Sequence, residues 1–331
     1  MKLEELFKTK SPAPKPIRTR FRAYKLSTAG SLCSYFAGDH FTLIEAMDTD
    51  ASRSNLLKEM EICGKQSVDT LHITSWDDDH CEAKALEWIL KNLKPTRIEH
   101  PGYTHHTQCA KDCAELISSY KRERLKAGRT AKVIPVTPDF IAGLETASAL
   151  GYTNIFYHPK TIHEKSNNNS TVKFFRTGVF NVLSTGDIEH HDIGSYLRSC
   201  KKLCRELDVL ILPHHGGPVD LMTEKFLDEL RPSIAVCTSN SGNQHEHPDE
   251  SVVKLLSNKK IPLMTTRRGD VVIESINGHI NKFEAIDFLS NGKDIQKSCV
   301  FTARKFDLLS KNADTIRDRL NHQNTGPSRN R

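Results

Sequence analysis

Four short stretches of this 331-residue chain collect side chains able to grip a divalent cation. The run Asp77-Asp78-Asp79-His80 supplies two spaced carboxylates and an imidazole. Asp187 closes Leu183-Ser184-Thr185-Gly186-Asp187, His214 and His215 sit in Pro213-His214-His215-Gly216-Gly217, and His245 and His247 fall in the loop 239–247. Carboxylate oxygens and imidazole nitrogens suit Zn²⁺ or Mn²⁺. Mixed Asp/His ligation with an open position is a catalytic pattern, because it lowers the pKa of a bound water enough to yield hydroxide near pH 7. Any one stretch has a plainer explanation. An Asp-rich turn caps helix N–H groups, and His-His-Gly-Gly alone reads as a turn. Four in this order are hard to explain by caps alone.

Each stretch follows an apolar run that reads as a strand. Phe21–Leu26, Leu32–Phe36 and Phe41–Ala46 are strand-like, with a hairpin break at Ala37-Gly38-Asp39-His40. Asn55–Cys63 is helical and Thr70–Thr74 a strand leading into the acidic turn. Ala83, Leu86, Ile89, Leu90 and Leu93 recur at helical spacing until Pro95. Thr171–Phe175 and Phe180–Leu183 read as a hairpin, Ile193–Leu207 as one helix, Val209–Leu212 and Ile234–Thr238 as strands, and Thr223–Leu230 as a helix. Pro248-Asp249-Glu250 opens another helix, with Pro early and acids in the first turn. Ile261–Thr266 and Val271–Ser275 are expected to pair across Arg268-Gly269, and Asn277-Gly278 marks a second hairpin. Strand ends converge when strands lie side by side, so the pattern predicts an α/β sandwich with its chemistry on one rim. No GxGxxG or P-loop pattern supports a nucleotide cradle.

The expected organisation is a flexible basic lead-in (1–20), a hydrolase domain (21–290) whose part 98–165 is variable and insertion-rich, and a tail (291–331), helical and then disordered. The segments Leu71–His80 (LHITSWDDDH), Asn167–Val172 (NNNSTV), Leu183–Asp187 (LSTGD), Asp208–Gly216 (DVLILPHHG), Asn243–Pro248 (NQHEHP) and Ile261–Glu274 occur in a telling order. Over 21–276 the chain resembles the metallo-β-lactamase-type hydrolase domain of the DNA-internalisation competence (ComEC-like) family.

That resemblance implies an αββα four-layer sandwich with metal at the edge where these loops meet. It implies that Asp79 and His80 bind one metal, that Asp187 ligates or bridges, and that His214, first off its strand, completes the site, with Asp77 at the second position. His247 matches a histidine near the substrate and joins Asp79 among the catalytic groups. His215, Asn169, Ser170, Asn243 and His245 fall to substrate binding. Ser75 stands where the motif has its first histidine and is a poor Zn²⁺ ligand, so one ion is expected to be well held and the second position to be weak. Glu45, where family members tend to have Asp, is a milder departure of the same kind.

The net charge of +6 is unevenly spread: residues 1–25 carry +6 and 304–331 carry +4, leaving −4 between them. Basic ends suit a polyanion, since nucleic-acid affinity rests largely on phosphate neutralisation. No run approaches the ~18–20 apolar residues of a membrane span, and the charged first residues lack a signal-peptide apolar region, so a cytoplasmic protein is expected. Nine cysteines without CxxC pairs read as reduced thiols. The leading expectation is a phosphodiesterase or nuclease acting on nucleic acid. The alternatives are hydrolysis of a small molecule (a cyclic nucleotide, phosphoester or lactone) and a non-catalytic binding protein keeping the fold.

Overall fold

The computed structural model describes residues 17–26, 28–145, 153–240 and 247–306. Alternation of side chains along the strands builds two sheets. The first has nine strands, in the order β15-β14-β13-β1-β2-β3-β4-β5-β6. In chain order these are β1 (Thr19–Ala23), β2 (Cys33–Ala37), β3 (His40–Ile44), β4 (Thr70–His72), β5 (Arg97–Pro101), β6 (Lys132–Val136), β13 (Val271–Ser275), β14 (Lys282–Phe288) and β15 (Ile295–Thr302). The second has six, ordered β12-β11-β10-β9-β8-β7: β7 (Ile155–His158), β8 (Val172–Phe175), β9 (Val182–Ser184), β10 (Val209–Ile211), β11 (Ile234–Cys237) and β12 (Leu263–Thr265). Strands β3 to β6 run parallel, as do β9 to β12.

Odd and even positions of one strand sort into different cores. In β10, Val209 and Ile211 face a core shared by both sheets with Phe21, Tyr35, Phe175, Ile273 and Phe283. Leu210 between them packs outward with Leu197, Phe226, Leu227 and Leu256. Those four residues belong to α5 (His191–Ser199), α7 (Glu224–Leu230) and α8 (Glu250–Asn258). On the far side, α1 (Asp50–Ile62), α2 (Ala83–Leu93) and α3 (Gln108–Lys126) cover the first sheet through Leu56, Leu86, Ile89 and Ile117 against Phe41, Leu71 and Ile98. Helix, sheet, sheet, helix: the αββα four-layer sandwich is the observed architecture. Among the described residues, no helix is long and apolar enough to cross a membrane. All nine cysteines are free thiols.

Several local expectations change. Ile261–Thr266 and Val271–Ser275 do not form a hairpin. β12 pairs parallel with β11 in the second sheet, while β13 pairs with β1 and β14 in the first. The connecting residues 266–270 carry the chain from one sheet to the other. The helix expected over 193–207 is broken at Cys200, whose extended backbone (φ −78°, ψ 92°) separates α5 from α6 (Lys201–Glu206). The tail expected to begin as helix from 291 instead forms β15, an edge strand on β14, so the sheet extends past the expected boundary at 290. The other boundary moves as well, since Thr19 and Arg20 of the expected lead-in belong to β1. The rest of the lead-in (1–16) and the tail from 307 lie outside the described residues. The part 98–165 holds β5, α3, β6, α4 (Pro138–Glu145) and β7.

Candidate metal centre

Parallel sheets place ligand sites beyond the carboxyl ends of their strands, and the acidic and histidine turns leave such ends in both sheets. After β4, the turn 77–80 is clamped: the Asp79 carbonyl accepts the Ser31 N–H (2.9 Å) and the Ala46 N–H donates to the His80 carbonyl (2.8 Å). Gly30 (φ +130°) allows that approach, since a Cβ there would stand 2.7 Å from the Asp79 carbonyl oxygen. After β9, Gly186 takes φ +53° where a Cβ would lie 2.8 Å from Ser170 Cβ and Thr74 Oγ1. The next N–H, of Asp187, donates to Ser170 Oγ (3.1 Å). After β10, His214, His215 and Gly216 are all left-handed (φ 47°, 51° and 81°).

These turns bring four ligand atoms within 4.8 Å of one another, from Asp79, His80, Asp187 and His215. His80 Nε2 is 2.8 Å from Asp187 Oδ1 and 3.9 Å from Asp79 Oδ1. His215 Nε2 is 3.1 Å from Asp79 Oδ2 and 3.8 Å from Asp187 Oδ1. A tetrahedral ion with bonds of ~2.0–2.1 Å spaces its ligands about 3.3–3.4 Å apart, inside that range. Buried His80 Nε2, His215 Nε2 and Asp187 Oδ1 have no geometrically acceptable hydrogen bond despite these short separations. With an Asp79 oxygen, these atoms converge within 4.8 Å of one another.

The opposite edge of each imidazole is held. His80 Nδ1 lies 3.2 Å from Glu45 Oε1, and that carboxylate also takes the Thr74 N–H (2.9 Å) and O–H (2.5 Å). His215 Nδ1 lies 2.9 Å from the Thr238 carbonyl oxygen. Acceptors at both Nδ1 atoms fix the protons there and turn both Nε2 lone pairs inward, the usual support behind metal-binding histidines. The charges agree. Burial pulls the His80 pKa down, but Asp187, Glu45 and Asp79 outweigh it and hold it well above the ordinary value. His215 is likewise raised, with burial overcome by Asp187 and Asp79. Burial pushes Asp79 and Asp187 up, yet the two histidines bring both below the usual carboxylate value. Two imidazolium protons against two carboxylates is the charge a divalent ion replaces on binding. The donor set fits a divalent cation.

His214, the expected ligand, stands outside this group. Its Nδ1 is 2.8 Å from Glu189 Oε1, and its ring meets that of His247 edge-on at 6.0 Å. His215, expected at the substrate, belongs to the four-residue group instead, its left-handed backbone bringing the ring to Thr238 and the carboxylates. Asp77 is also outside: its carboxylate accepts from Ser75 Oγ (2.8 Å). The Tyr103 hydroxyl lies 3.3 Å from that Oγ and accepts the Trp76 N–H (3.1 Å). Trp76 is buried between His100 and His105. Asn169 is hydrogen-bonded to the backbone of His163 and Lys165, and Ser170 Oγ accepts the Asp187 N–H. His247 packs beside Gly217, where a Cβ would come within 2.9 Å of its ring. Asn243 and His245 lie outside the described residues. Glu189, Thr238 and Tyr103 carry no motif signal. Glu45 is marked in the sequence only as a position where the family that the chain resembles tends to have Asp.

No family model matches the chain, and no curated protein matches it. Similar solved structures include the metallo-β-lactamase fold protein YhfI from Bacillus subtilis, 14% identical, covering 78% of this chain and 100% of that one with a TM-score of 0.46. Igni18, a metallo hydrolase from Ignicoccus hospitalis, is also 14% identical and covers 77% and 98% with a TM-score of 0.44. A diphosphatase of the PhnP family, again 14% identical, covers 76% and 96% with a TM-score of 0.38.

Proposed function

We propose that the chain is a metal-dependent hydrolase of phosphodiesters, with nucleic acid as its substrate class, working from one divalent ion. The observation that carries the metal reading is the convergence of ligand atoms from Asp79, His80, Asp187 and His215 within 4.8 Å of one another, backed by acceptors at both Nδ1 atoms. An ion held there supplies Lewis acidity, bringing a water's pKa toward neutrality and neutralising charge on the phosphate.

The protein's own groups do the rest. Glu45 and Thr238 keep both ligating rings in one tautomer, and Ser170 fixes Asp187. Ser75, Asp77 and Tyr103 bond to one another where a second ion would need ligands, which favours a single-ion site. His214, oriented through Nδ1 by Glu189, and His247 beside it are the groups positioned to exchange a proton with substrate. The nucleic-acid part of the reading draws on the motif resemblance and on the basic residues of 1–25 and 304–331.

The test is cleavage of plasmid and linear DNA with added Mn²⁺ or Zn²⁺, beside Asp79→Ala and His80→Ala. Metal-dependent nicking lost in both variants supports the reading. Failure to cleave DNA, RNA or a generic diester with stoichiometric metal bound overturns it.

A further inference from the structure

A second group of buried charges lies away from the metal turns. Glu99 on β5 accepts from Arg97 Nε (2.6 Å) and from Lys173 Nζ on β8 (2.5 Å), with His72 Nδ1 of β4 at 3.1 Å. The Lys173 ammonium lies over the rings of Phe156 and Phe175 at 4.8 and 4.9 Å, and its side chain is only 4% exposed. Burial lowers the His72 pKa, which keeps that ring neutral. Two cations therefore share one carboxylate, Lys173 in the apolar interior and Arg97 at its partly exposed edge. An unmatched buried charge is costly, and burial also pulls the Lys173 pKa down despite Glu99.

Both cations line a cavity of about 470 Å³, within the ~300–1,000 Å³ typical of small-molecule sites. Arg97 is 31% exposed, and among the described residues its one side-chain hydrogen bond is through Nε, leaving the two Nη groups to offer a fork. Among the described residues, Ile141, Leu144, Ile155, Phe156 and Tyr196 form an apolar and aromatic side of the remaining lining, and His40, three threonines and Asn154 form a polar one. The cavity sits at the starts of β3, β4 and β5 (His40, Thr70, Arg97), whereas the metal turns leave strand ends. At ~3.3 Å per residue, β3 separates His40 from Glu45 by roughly 16 Å.

We propose that this cavity binds an amphipathic monocarboxylate, its head on the Arg97 fork beside Lys173 and its acyl or aryl body against Ile141, Ile155, Phe156 and Tyr196. The excess of one positive charge matches a monoanion; a dianion such as phosphate would leave negative charge against the apolar wall.

The test is calorimetric titration of the full chain, stripped of metal with EDTA so that carboxylate on the metal centre does not contribute. Octanoate is the probe, with octanamide and inorganic phosphate beside it. Octanoate is expected to saturate one site, with octanamide and phosphate each at least about tenfold weaker, the worth of one charge-assisted hydrogen bond. Arg97→Gln should weaken octanoate by a similar factor and leave octanamide unchanged. Leu144→Trp, at a partly exposed wall position, should block both, with far-UV circular dichroism confirming that each variant folds. No octanoate binding, equal binding of octanamide or phosphate, or octanoate binding undiminished in either folded variant overturns the proposal.

Discussion

Replacing Glu45 by glutamine tests whether the groups behind His80 exist to present its Nε2. The native carboxylate faces three donors: the Thr74 N–H at 2.9 Å, the Thr74 O–H at 2.5 Å and His80 Nδ1 at 3.2 Å. Glutamine of the same length offers one oxygen and one NH₂, so at least one donor meets another donor. Where that donor is His80, the Nδ1–H tautomer loses its support and the Nε2 lone pair is no longer held inward. Losing such a partner costs about 10–100-fold in metal affinity, or about 1.4–2.8 kcal/mol. The pH dependence has a definite sign. Burial disfavours the His80 proton, but Asp187, Glu45 and Asp79 together favour it more strongly, so the native metal-free site keeps its proton to higher pH than the variant. Above both pKa values the full loss is seen. As pH falls the native protein has more proton to displace, and the gap narrows. The assay is competition for Zn²⁺ between EDTA-stripped protein and a chromophoric chelator, from about pH 6 to 9, with melting curves to verify the fold. A folded variant whose affinity stays within about threefold of native across that range would refute the reasoning.

Three more outcomes follow from the same geometry. His215→Ala should lose stoichiometric metal, whereas His214→Ala should keep it and lower the hydrolytic rate by about 10²–10⁴-fold; metal content by mass spectrometry with DNA nicking decides, and the reverse metal pattern contradicts the assignment. In metal-free protein, His80 and His215 have raised pKa values, so their stabilisation is complete below ~6.5 and is lost as pH rises through the folded values. Asp79 and Asp187 are depressed, so theirs is present above ~3.9 and lost as pH falls through the folded values. Melting temperatures in EDTA should therefore drop on the alkaline side, and Zn²⁺ should abolish that drop; a flat alkaline profile in EDTA argues against it. Gly186→Ala, at φ +53° with its Cβ 2.8 Å from Ser170 Cβ, should cost about 1–3 kcal/mol in urea unfolding, and an unchanged midpoint would remove the packing argument.

The layers and the rim were legible because apolar runs of strand and helix period alternate, and because each chemical turn directly follows one of those runs. Asp79, His80 and Asp187 could be picked out on that ground. The choice between His214 and His215 could not, since it depends on three consecutive left-handed residues and on Glu189 and Thr238, partners distant along the chain. The misread pairing of 261–275 has a similar origin. Two short strands joined by a Gly-containing turn look alike whether they form a hairpin or cross between sheets, and only the pairing of β12 with β11 and of β13 with β1 decides. Ser75 marked a departure from the motif. Tyr103, which lies against it, comes from the segment after β5 and has no motif of its own.

Asp79, His80, Asp187 and His215 are proposed to hold one divalent ion. Anomalous diffraction at the Zn edge, on crystals of the Zn²⁺-loaded protein, tests it most directly. A single strong peak is expected, with His80 Nε2, His215 Nε2 and a carboxylate oxygen from each aspartate at ~2.0–2.2 Å, and with Ser75, Asp77 and His214 outside the coordination sphere. A peak coordinated by His214, a second peak of equal strength at Asp77, or no peak between His80 and His215 would contradict it.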